Sequence, residues 1–62
     1  MMSNKAVVLL FRDATATTPD QTVEFSFVSA AREWARDQII QGKARRAEVK
    51  DPSGATIATF PG

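Results

Sequence analysis

Residues 6–11 read Ala6-Val7-Val8-Leu9-Leu10-Phe11, an unbroken apolar run held between Lys5 and Arg12. Its length is that of one strand. A strand with one face in water alternates apolar with polar residues, and this one does not. Ala6, Val8 and Leu10 point to one side; Val7, Leu9 and Phe11 point to the other. Runs of this kind belong to strands covered on both faces. The remaining residues therefore have two faces to cover.

They have little to do it with. The chain has 62 residues, enough for a single domain spanning 1–62. A domain of that size buries only about 60% of the surface of its unfolded chain. There is no cysteine and no histidine, which removes disulfides, thiolate metal sites and the usual zinc ligands. Self-association is the remaining way to gain buried area. Cysteine-free composition fits a reducing cytoplasm. No apolar run approaches the roughly 20 residues of a membrane span. Val7 to Phe11 is also too short for a signal-peptide core, and no small-residue cleavage site follows it. The expected location is cytoplasmic, with no membrane partner.

The rest of the chain divides cleanly. Asp13 to Gln21 is small, threonine-rich and contains Pro19, so it reads as a loop between two antiparallel strands. Thr22 to Phe27 alternates, with Val23, Phe25 and Phe27 on one face. Ser29 has the side chain of an N-cap, and a helix from about Ala30 to Gln41 follows it. Gly42 suits the left-handed residue beyond the helix end. On a helical wheel Ala31, Trp34, Ala35 and Ile39 form the apolar side, and Arg32, Glu33, Arg36 and Asp37 the charged side. Gln38 falls inside the apolar stripe and Ile40 outside it.

Ala44 to Asp51 alternates again, and Asp51-Pro52-Ser53-Gly54 has the composition of a type I turn closed by a left-handed glycine. Ala55 to Phe60 returns as the last strand. Pairing Asp51 with Ala55 sets Val49 opposite Ile57 and Ala47 opposite Thr59 on one face. On the other face Lys50 meets Thr56, Glu48 meets Ala58 and Arg46 meets Phe60. The predicted fold is α+β: a two-layer, mainly antiparallel sheet of about four strands with one helix on one face, in the order β-β-α-β-β.

Catalysis has little to work with. Histidine, cysteine and tyrosine are all absent. Ser3, Ser26, Ser29 and Ser53 have end, strand, cap and turn positions and no evident base. The carboxylates are scattered, and the three glycines form no phosphate loop. No enzyme, no cofactor, no metal site and no small-molecule substrate is expected.

Two binding surfaces stand out. Since one helix covers only one sheet face, either Val8 and Leu10 or Val7, Leu9 and Phe11 are left uncovered. Val8, Leu10, Ala58 and Phe60 are the candidate interface on the open sheet face, joined into one apolar patch if the first strand is central. The expected function is a small protein-interaction module, a homodimer through that open sheet face or a binder of another protein, with partner specificity from Arg32, Arg36 and Ile40 or from the sheet edges. The alternative is a nucleic-acid contact through Arg32, Arg36, Lys43, Arg45 and Arg46, with Phe60 beside Arg46 as a stacking ring. Net charge is only +1, although residues 32–50 carry six cations against three anions.

The segments Ala31-Arg32-Glu33-Trp34-Ala35, Gly42 and Ala47-Glu48-Val49-Lys50-Asp51-Pro52-Ser53-Gly54-Ala55-Thr56-Ile57 resemble short uncharacterised bacterial and phage-borne domains. In these a helix with small residues precedes a Val-x-Asp-x-x-Gly-x-x-Ile hairpin. The resemblance covers the C-terminal half. It implies a similar fold and gives no activity; size and plan alone suggest small inhibitors or adaptors of phages and mobile elements.

Overall fold

The computed structural model describes residues 5–61; Ser3 and Gly62 lie outside the described residues. The element order is β1 (Ala6–Phe11), β2 (Gln21–Phe25), α1 (Val28–Ile40), β3 (Arg46–Lys50) and β4 (Thr56–Phe60). The strands form one antiparallel sheet in the order β2-β1-β3-β4, with α1 packed on it. This is the α+β, β-β-α-β-β plan expected from the sequence. The apolar run is a central strand, paired on both edges: Val8 lies between Val23 and Val49, and Leu10 between Gln21 and Ala47.

The helix decides which face of β1 is the core. Ala31 and Ala35 are fully buried against Ala6, Val8, Leu10, Ala47 and Val49. Alanine at both helix positions, and at Ala47, lets the backbones approach closely. Trp34 and Ile39 fill the flanks, with the Trp34 ring 5.4 Å from that of Phe25. Gln38 is buried at the end of the stripe, and Ile40 is exposed, as the wheel requires. The helix ends in a Schellman motif: the Gly42 N–H donates to the Ile39 carbonyl and the Lys43 N–H to that of Gln38. Gly42 takes φ +74°, where a Cβ is strained.

Two boundaries differ from expectation. The helix begins at Val28 with Phe27 as N-cap residue, and no side chain caps it; Ser29 is already inside the first turn. Phe27 was the third apolar residue of the alternation after Val23 and Phe25. Instead the strand stops at Phe25, and Phe27 is left 70% exposed at the turn into the helix.

The hairpin turn forms as its composition demands. The Gly54 N–H donates to the Asp51 carbonyl at 2.9 Å, and Gly54 takes φ +95°. Asp51 Oδ1 accepts from the Ser53 hydroxyl and from the Ser53 and Ala55 N–H groups. The Ser53 hydroxyl above all, opposed by partial loss of water, and then the backbone N–H groups of Ala55, Ser53 and Gly54 hold the Asp51 carboxyl below the usual aspartate range. A depressed carboxyl stabilises the fold above its unfolded pKa, and that contribution is lost as pH falls through the folded value. Asp51→Asn is therefore expected to flatten the acid limb of a stability–pH curve below about pH 4. Acid unfolding that is identical in the two chains would remove the turn from this role.

The register beyond the turn is where the sequence reading fails. Lys50 pairs with Thr56 as expected, but Val49 pairs with Ala58, Glu48 with Thr59 and Ala47 with Phe60. Ile57 is the extra residue of a β-bulge between Val49 and Lys50. One inserted residue exchanges the two faces of everything after it. Ala58 and Phe60 turn toward the core, Thr59 turns to the open face, and Ile57 is left 42% exposed. The gain is Phe60, the largest apolar side chain of β4, packed against the core cluster.

Candidate functional site

The four residues assigned to an open sheet face do not lie on one. Val8 and Leu10 are on the helix-covered side of β1, with Leu10 only 5% exposed. Ala58 and Phe60 are brought to that same side by the bulge and pack against the core. The face away from the helix presents Val7 and Leu9, both half-buried. Their cross-strand neighbours are Glu24 and Lys50 for Val7, and Thr22 and Glu48 for Leu9. Long polar side chains whose stems can lie along the aliphatic pair take the place of a second layer. The open face is thus two aliphatic residues within a charged surround, and the expected apolar patch is not formed.

The last residue of β1 has its own cover. Phe11 is 3% exposed, with the Arg46 guanidinium 3.9 Å above its ring centre. Arg46 lies directly opposite Phe11 in the β1–β3 register. Its Nη1 donates to the Ala14 carbonyl at 2.6 Å and its Nη2 to the Ala16 carbonyl at 2.7 Å. Nε has Glu48 Oε2 at 3.4 Å. The threonine-rich segment is in this way pulled over the end of the open face. Its base is closed by the Asp20 N–H to the Leu10 carbonyl and the Arg12 N–H to the Asp20 carboxylate. Arg46 was expected to sit beside Phe60; the one-residue slip of β4 moves Phe60 to the opposite face and leaves Phe11 as its ring.

This divides the basic residues. Arg46 is engaged in structure. Lys43 and Arg45 are exposed at the C-terminal end of α1, where the Arg45 N–H donates to the Phe11 carbonyl. Lys43 borders a small cleft of about 160 Å³ that also contains Arg12 and Asp20. Arg32 and Arg36 stand apart from these, on the flank of α1 facing β4. There they line an open groove of about 550 Å³ with Ser29, Glu33 and Phe60. The five cations expected to act as one surface are therefore three separate groups.

The groove is what sequence reasoning missed. The arginine column was visible, because residues four apart share a helix face. Its neighbour Phe60 was placed on the wrong side by the slipped register. Three features meet here. β4 is an edge strand, so the backbone groups on its outer side have no strand partner among the described residues. Phe60 gives the groove an aromatic wall, and Arg32 and Arg36 make no hydrogen bond or ion pair among the described residues. Among those residues no three acidic side chains gather as a metal site would require, and no helix is long and apolar enough to cross a membrane. No family model matches the chain, and no curated protein and no solved structure matches it either.

Proposed function

We propose that the chain is a small non-enzymatic protein-interaction module, an adaptor or inhibitor that takes its partner along β4 and the adjoining flank of α1. The observation that carries this reading is the chemistry of the edge. Thr56-Ile57-Ala58-Thr59-Phe60 contains no charge, and neither do the residues from Pro52 to Gly62. Edge strands present unpaired N–H and C=O groups, and proteins usually blunt them with lysine, proline or inward charges. The other edge strand, β2, carries Glu24. β4 has alternating exposure and β-branched residues, which favour strand addition. A homodimer across the opposite sheet face has less support, since Val7 and Leu9 alone are far from the roughly 800 Å² per partner of a stable interface.

The test uses the isotope-labelled chain in an extract of its native host. Amide signals of residues 56–60 and 32–36 are expected to broaden selectively, and protease treatment of the extract is expected to restore them. Restoration by nuclease instead would replace this reading with the nucleic-acid one. A spectrum unchanged by the extract would remove both.

A further inference from the structure

The groove beside β4 is more specific than an apolar slot. Its polar wall holds Ser29, Glu33 and an arginine pair at i and i+4, with two cations to one acid, and like charges at that spacing disfavour the helix that carries them. The acids of the same helix do not offset this by pairing. Glu33 and Asp37 form their own i, i+4 column, and none of the four charges is in an ion pair among the described residues. Four residues of helix advance about 6 Å along the axis. Alternate residues of a strand, which share one face, advance about 6.6–6.8 Å. A strand laid against β4 therefore presents every second side chain to α1 at nearly the spacing of Arg32 and Arg36.

We propose that the occupant of this groove is an extended acidic peptide segment of the form acid-x-acid, added to the β4 edge. Its two carboxylates meet Arg32 and Arg36, and an apolar side chain two positions further on lies against Phe60. This rests on the reading of the chain as a protein-binding module and names its partner's chemistry. A second copy does not fit the description. The seven acids of the chain are Asp13, Asp20, Glu24, Glu33, Asp37, Glu48 and Asp51, and no two are separated by a single residue. The bulge at Ile57 also works against long edge-to-edge pairing between copies, and it leaves Ala58–Phe60 beside the groove for a short segment. A nucleic-acid strand fits less well. Phosphates only accept hydrogen bonds, whereas a strand edge alternates donors with acceptors.

A library of random dodecapeptides displayed on phage, selected on the intact chain, decides the matter. Selected sequences are expected to share two acids at alternate positions. A synthetic peptide of the selected sequence is expected to lose roughly tenfold in affinity on Arg36→Gln, and more on Arg32→Glu or Arg36→Glu, with Arg36→Lys closer to wild type. Selected sequences without alternate acids, or with affinities indifferent to Arg32 and Arg36, would overturn the acidic partner and leave the protein-binding reading standing. Recovery of no peptide above background, together with a dimer mass by light scattering or retention of an oligothymidylate probe, would overturn both.

Discussion

Leu10→Lys is expected to leave the chain largely unfolded at 25 °C, read as loss of helical circular dichroism and a red shift of the single tryptophan, Trp34. Leu10 is 5% exposed at the centre of the helix–sheet core. Removing a buried leucine side chain costs about 2–5 kcal/mol. An ammonium placed there without a partner adds several more. The whole stability of a chain this size is about 3–9 kcal/mol, at roughly 0.05–0.15 kcal/mol per residue. The penalty is thus comparable to everything the fold has. Leu10→Ala provides a graded version, with a midpoint shift that corresponds to the lower figure. Had Leu10 faced outward, Leu10→Lys would leave the fold intact and alter only self-association. A folded Leu10→Lys chain of changed mass would therefore refute the facing of β1 described above.

Arg46→Ala is the second large effect. It removes a cation from the Phe11 ring, two donors from the carbonyls of Ala14 and Ala16, and the partner of Glu48. The ring contact contributes about 0.5–1 kcal/mol where it is partly exposed, and the two charge-assisted bonds about 1 kcal/mol each once water competes for them. The pair with Glu48 adds little at its exposure. A loss of about 2–3 kcal/mol in chemical denaturation follows. Hydrogen exchange should speed up within residues 13–18 and hardly at all in α1. Arg46→Met, which covers Phe11 but donates nothing, is expected to recover only the packing part. An unchanged denaturation midpoint in Arg46→Ala would show that the loop holds itself.

The element order was legible because each boundary has local chemistry: the charges around residues 6–11, Gly42 after the helix and the Asp51–Gly54 turn. The buried and exposed sides of α1 were legible for the same reason, down to Gln38 inside and Ile40 outside. What failed was non-local. A bulge has no composition of its own, and Ile57 looked like the natural partner of Val49. The single inserted residue then reversed Ala58 and Phe60, while Val8 and Leu10 were misplaced separately, because nothing local tells which side of a doubly apolar strand the helix takes. Arg46 was misread because its ring belongs to β1, and strand order is not written in any one segment. Ser29 looked like a cap because serine caps often; here the chain enters the helix two residues earlier without a side-chain cap.

The manner in which Arg46 holds the 13–20 segment has a consequence for variation and for engineering. The guanidinium reaches main-chain carbonyls, which every residue possesses, and the anchoring bonds at the segment's base involve only Asp20 as a side chain. The side chains of Thr15, Thr17 and Thr18 are exposed and enter none of these contacts. Substitution at these positions should therefore be nearly neutral, while Arg46 and Asp20 should not vary freely. The same economy makes the exposed Thr17 and Thr18, beyond the Ala16 carbonyl that Arg46 holds, the natural place to attach a label or graft a short sequence, on the side of the sheet opposite the β4 groove.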